Sequence, residues 1–296
     1  GWKLSRRVLV RGQDAREVED MRWAVAEYER LKTRFAPEPG QGARYPFNGV
    51  HFDRRRIGLS TAMVAPTTLD APPRVTIVTR THGDYPFLSD CLACVRQQTH
   101  AEVEHIVVED DAKPGSLAQR LCERAGDVRY LPLAKVGRSE AGNAGAAAAT
   151  GEFLIWLDQD DLVFHDHVER LVAGLASDPG AGGAYSLSWE AMARTRDGVR
   201  QTRTLAGPVG LGEVMNPDRI RSANGLPIQS VMVRRTLFET LGGFDPEEDL
   251  HEDWALWRRY TQRERFVAVP ALTSIYITPG SLRQRIRRQL GLRKAM

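Results

Sequence analysis

The stretch that decides the fold is Phe153-Leu154-Ile155-Trp156-Leu157-Asp158-Gln159-Asp160-Asp161. Its five leading apolar residues carry no polar alternation and read as a strand buried on both faces. Three carboxylates then follow within four residues. Like charges at that range disfavour one another's ionisation, so the turn needs a counter-charge. A hard divalent cation takes oxygen ligands and commonly brings phosphates with it. Asp161 is also a candidate N-cap for a following helix.

Upstream, short apolar runs over 75–78, 105–108 and 128–131 alternate with amphipathic stretches over 84–98, 117–123 and 139–149. Pro86 sits in the first turn of the first predicted helix, and the third is built of small residues. Strands alternating with helices predict an α/β domain with a mostly parallel central sheet flanked by helices. Ligands of such sheets bind beyond the carboxyl ends of the strands. The candidates are therefore Thr79, Arg80, Thr81 and His82 after the first strand, and Glu109, Asp110 and Asp111 after the second. Asp158, Asp160 and Asp161 complete them. No Gly-x-x-x-x-Gly-Lys phosphate loop accompanies these residues, and no Gly-x-Ser-x-Gly elbow is present. A diphosphate would then be held by metal and arginine, with Arg138 as the candidate.

A second rich segment is Gly242-Gly243-Phe244-Asp245, followed by His251-Glu252-Asp253-Trp254 and Trp257. Carboxylates in a first turn complement the helix dipole, and indoles at i, i+3 suit a core. The functional reading makes one carboxylate a general base beside an aromatic platform for a sugar ring. Trp254 and His251 are the acceptor-side candidates.

At 296 residues the chain is one large domain with appendages or two domains. Its 42% hydrophobic and 27% charged residues are those of a globular protein. The net charge of +3 is a cancellation: residues 1–72 carry 13 Lys and Arg against 9 acids, residues 73–279 carry 22 against 29, and residues 280–296 carry 6 against none. An acidic body lacks the continuous cationic face that phosphate backbones require, so no nucleic-acid partner is expected. No run of about 18 apolar residues could span a bilayer, and no charged-then-apolar leader opens the sequence. The three cysteines, Cys91, Cys94 and Cys122, suit a reducing compartment and read as buried structural thiols.

Two appendages flank the body. In residues 1–72, Val18, Met21, Val25, Tyr28, Leu31 and Phe35 recur at helical spacing and precede an irregular Pro/Gly-rich arm. In residues 280–296, Leu282, Ile286 and Leu290 among arginines describe a basic amphipathic helix. Such a helix suits either an anionic membrane surface or solvated packing.

Taken in order, Arg80-Thr81, Gln97-Gln98-Thr99, Val107 to Asp110, Asn143 to Gly145, Ala149 to Glu152, Leu157 to Asp161, Gly242 to Asp245, and Glu252 through Trp257 resemble one pattern. Residues 73–279 are similar to the GT-A catalytic domain of glycosyltransferase family 2, the inverting nucleotide-sugar transferases. The resemblance implies a donor site of Thr79, Arg80, Thr81, Asn143 and Asp158, with Glu109 or Asp110 on the nucleotide base and Arg138 as the candidate substitute for an arginine the pattern lacks here. It further implies Mg²⁺ or Mn²⁺ on Asp160 with Asp158, and Asp253 as catalytic base with Glu252 beside it. Three departures stand out, one being Asp111-Ala112 where the family has Gly-Ser after the second-strand acids. Thr79-Arg80-Thr81-His82 replaces the family's common Pro-Thr-Tyr-Asn, and Gly142 stands where an Arg usually precedes Asn143.

The expected partners are a nucleoside-diphosphate sugar and a glycan or lipid-linked acceptor. The expected location is the cytoplasm, with peripheral contact at the inner face of the membrane left open. The competing readings are a sugar nucleotidyltransferase and a non-catalytic glycan binder on the same fold. The first is disfavoured by the lack of a Gly-rich basic stretch after the first strand, the second by the retained carboxylates.

Overall fold

The computed structural model describes residues 72–196, 199–210, 217–248 and 251–279. The predicted arm over 1–72 and the basic helix over 280–296 lie outside the described residues, save for Pro72 itself.

The first half alternates as the sequence predicts. Strand β1 (Val75–His82) leads to helix α1 (Leu88–Arg96), then β2 (Val103–Asp110), α2 (Leu117–Ala125), β3 (Arg129–Pro132), α3 (Arg138–Ala147) and β4 (Phe153–Asp158). Helix α1 is shorter than the periodicity suggests, because Pro86 lies in the turn before it rather than inside it. After β4 the chain forms the two-residue β5 (Leu162–Val163), so Asp161 caps no helix. There follow α4 (His167–Ser177), the long strands β6 (Gly183–Arg196) and β7 (Val199–Val209), β8 (Val231–Arg234), α5 (Arg235–Leu241), α6 (Glu252–Thr261) and β9 (Phe266–Pro279).

These strands form one sheet in the order β3-β2-β1-β4-β8-β6-β9-β5, with β7 paired to β6. The β3-β2-β1-β4 half is wholly parallel. Beyond it the sheet is mixed: β8 runs antiparallel to both β4 and β6, while β6 and β9 are parallel.

Strand periodicity sorts the core into two layers. Val75, Ile77, Val107, Ile155 and Leu157 face α1, α2 and α4. Val78, Ile106, Val108, Leu154 and Trp156 face α3 and α6. Helix α3 lies close on β1 and β2 because Gly145 has no Cβ; one added there would sit 2.2 Å from Val78 Cγ1. That proximity explains a helix made of small residues. All three cysteines are free and buried, as structural thiols should be.

Candidate active site

The register aligns the polar strand ends. Arg80 lies opposite Asp158, and His82 opposite Asp110. Two residues beyond Val78, Val108 and Trp156, the side chains of Arg80, Asp110 and Asp158 inherit the α3/α6 face. With Thr81, Arg138, Gln159 and Asp160 they line a cleft of about 300 Å³ at the carboxyl ends of β1, β2 and β4.

Arg80 is almost fully buried, at 4% exposure. Its Nε donates to Asp158 Oδ1 at 2.7 Å, and its terminal nitrogens lie 3.4 Å from Glu252 Oε1. Arg138 reaches the same Glu252 oxygen at 3.2 Å from a half-open position. Glu252, itself buried, is thus held by two guanidiniums.

Its neighbour Asp253 is held differently. The half-buried carboxylate accepts the Trp254 backbone N–H at 2.7 Å. Burial, reinforced by the charge of Glu252, pushes its pKa up to about 6, against the opposing pull of that N–H and of Arg80. Trp254 is half-buried, donates its indole N–H to the Ile220 carbonyl at 2.9 Å, and carries Arg258 over its ring. His251 is exposed, with Nδ1 3.1 Å from the Asn224 amide nitrogen. Trp257 points the other way, into the core against Trp156.

The acidic turn after β4 brings ligand atoms of Asp158, Asp160 and Asp161 within 4.8 Å of one another. Oxygen donors at that spacing fit a hard divalent cation. Asp161 is buried and accepts the Ile277 backbone N–H at 2.7 Å, which ties the turn to β9. Asp158 and Asp160 are the half-buried members on the cleft.

Three expected donor residues have their polar atoms engaged inside the protein. Thr79 faces α1, where its hydroxyl meets His105 Nε2 at 2.9 Å. Glu109 follows Val107 onto the α2 face and accepts from Ser116 and Tyr130. Asn143 clamps Phe244 with both ends of its amide, donating to the Phe244 carbonyl at 2.9 Å and accepting its N–H at 2.7 Å. Of the pair left open for the nucleotide base, Asp110 is the one in the cleft. It accepts the backbone N–H groups of Val136 and Gly137. Thr81 lines the cleft while donating to Gln159 Oε1, which also accepts the His82 N–H.

Gln159 and Phe244 are neighbours of the cleft side chains that sequence reasoning passed over. Phe244 packs edge-on against Trp156 and lies 5.4 Å from the Arg80 guanidinium carbon. Gly142 makes room for it, since a Cβ there would be 2.7 Å from the ring.

Residues 76–207 match the family described as Glycosyl transferase family 2. That stretch of the chain carries the family's sequence pattern. An uncharacterized glycosyltransferase of Nostoc is 26% identical over 192 residues, covering 62% of this chain and 56% of the relative. Among solved structures, the fold is shared with S. aureus TarS 1–349 (TM-score 0.56, 14% identity, 69% of this chain and 60% of that one). It is also shared with the mannosyltransferase PcManGT of Pyrobaculum calidifontis (TM-score 0.55, 20% identity, 93% and 70%). The latter was solved with GDP-Man and Mn²⁺. The match thus spans little more than half the length of the Nostoc relative. Among the described residues no helix is long and apolar enough to cross a membrane.

Proposed function

We propose that this protein is a metal-dependent, inverting family 2 glycosyltransferase, moving a sugar from a nucleoside-diphosphate sugar to a hydroxyl of a glycan or lipid-linked acceptor. The observation that carries the reading is the carboxylate trio of Asp158, Asp160 and Asp161 at one edge of a cleft whose walls also hold Asp110 and Arg138. A helix start bearing Asp253 is fastened to the same cleft through Glu252.

In this reading Asp110 receives the nucleotide base, and Arg138 stands where a diphosphate would lie. Asp158 and Asp160 would hold Mg²⁺ or Mn²⁺. When bound, the cation neutralises the charge that develops on the departing nucleoside diphosphate. Asp253 removes the proton of the acceptor hydroxyl as that oxygen attacks the anomeric carbon from the side opposite the leaving group. With its pKa near 6, Asp253 is ionised at neutral pH yet basic enough to take the proton. Trp254 and His251 flank it on the acceptor side, and Glu252, paired with two arginines, keeps the helix start in place.

The test is a thermal-shift screen of UDP-, GDP- and dTDP-sugars with Mn²⁺, followed by measurement of nucleoside diphosphate released from whichever donor stabilises the protein. Metal-stimulated release supports transfer. A donor that binds and stays intact, with and without metal and across acceptors, points instead to a glycan-binding role for the same cleft.

A further inference from the structure

The Arg80 side chain lies between the two halves of the site. A buried guanidinium offers a planar fork of donors, and here they are divided between two acids. Nε and one Nη lie 2.7 Å from Asp158 Oδ1 at the end of β4. The terminal nitrogens reach Glu252 Oε1 at 3.4 Å in the first turn of α6. A further contact of 3.5 Å reaches the Arg138 carbonyl at the start of α3. The Phe244 ring and the bare Cα of Gly142 wall the stem in; a Cβ at Gly142 would come 3.3 Å from Arg80 Cδ.

Phe244 is itself fixed from two sides. Asn143 clamps its backbone from α3, and Tyr260 and Arg259 of α6 donate to the carbonyls of Gly242 and Gly243 just before it. At 4% exposure Arg80 has almost no surface left for a ligand.

We infer that Arg80 is a positioning residue rather than a donor ligand: it locks Asp158, on the donor side, to Glu252 and so fixes the placement of Asp253 one residue further along α6. This inference rests on the transferase reading and deepens it. Its physical basis is that one buried guanidinium touches both acids. Arg138 reaches Glu252 from a position 42% exposed, whereas Arg80 is buried at 4%. Breaking the Arg80 link should therefore leave the donor cleft furnished but let the first turn of α6 shift relative to it. Reaction geometry tolerates such shifts poorly, since a misplacement of about 1 Å can cost on the order of 100-fold in rate.

Two measurements on the full chain test this. In the first, Asp158→Asn and Glu252→Gln are combined in a double-mutant cycle on the unfolding equilibrium. Coupling of at least about fivefold is expected with Arg80 present and its disappearance with Arg80→Met, the range seen for residues sharing one network. Additive effects with Arg80 present would overturn the link. In the second, Arg80→Lys keeps a charge but loses the fork. Nucleoside diphosphate with Mn²⁺ should bind within about threefold of wild type, while kcat falls at least tenfold. A Kd raised tenfold with kcat unchanged would make Arg80 a donor ligand, and unchanged values of both would make it a bystander; either overturns the inference. If the wild type itself releases no nucleoside diphosphate, the proposed function fails, while the cycle still decides whether Arg80 joins the two acids.

Discussion

Two acidic doublets stand at the edge of the site, Glu109-Asp110 at the end of β2 and Glu252-Asp253 at the start of α6. They look alike in sequence and are built alike in one respect: each buries its glutamate more deeply than its aspartate. The means differ. On β2 the two-residue period places neighbours on opposite faces, so Glu109 lands among Ser116 and Tyr130 beneath α2 while Asp110 lines the cleft. On α6 the neighbours are separated by the helical turn, and partners decide. Glu252 is drawn to Arg80 and Arg138, and Asp253, left with one backbone N–H, takes the raised pKa. An acid's role here follows from what meets it, not from the motif that contains it.

The comparison can be broken most sharply at the metal. Asp160→Ala should reduce nucleoside diphosphate release to the level seen in EDTA and weaken Mn²⁺-dependent donor binding at least tenfold, measured by titrating Mn²⁺ with nucleotide present. Wild-type affinity in that variant would move the cation elsewhere. Next comes pH. A base must be ionised, so with Asp253 near 6 the rate should fall about tenfold per unit as pH drops below that value. A profile flat down to pH 5 contradicts the assignment.

Glu109 offers the opposite test. Glu109→Gln disturbs buried partners and should cost about 1–3 kcal/mol of stability, while donor affinity stays within about threefold. A large loss of affinity without loss of stability would return Glu109 to the nucleotide.

The smallest effect concerns stability at Asp253. Its folded pKa lies above the ordinary carboxylate value, so the ionised group destabilises the fold. That cost is fully present above about pH 6 and fades as pH falls toward 4. Asp253→Asn should therefore raise Tm at neutral pH by about 2–4 °C, the shift that ~1 kcal/mol produces in a domain of this size. The gain should vanish near pH 4.

Much of this was legible in the sequence. The run 153–161 announced a buried strand with acids at its carboxyl end, and the alternation around it gave the elements of the parallel half of the sheet, though not their order across it. Strand parity in 107–110 also contained the separation of Glu109 from Asp110, but parity alone does not say which face carries the site; that needed α3 and α6 to be placed. The mixed half of the sheet was not legible, because β8 and β9 pair with strands far away in sequence and no local period records an antiparallel insertion. The protein contacts of Asn143 and Arg80 were hidden for the same reason. Their partners, Phe244 and Glu252, lie more than 100 residues away in the chain, so no local signal records either contact.

The most direct test of the account compares Asp253→Asn with wild type in one experiment, reading donor binding by calorimetry and nucleoside diphosphate release in the same preparations. The account predicts equal binding within about threefold and a fall in release of about 100- to 10,000-fold, the usual worth of general-base assistance. Release near the wild-type rate, with binding intact, would contradict it.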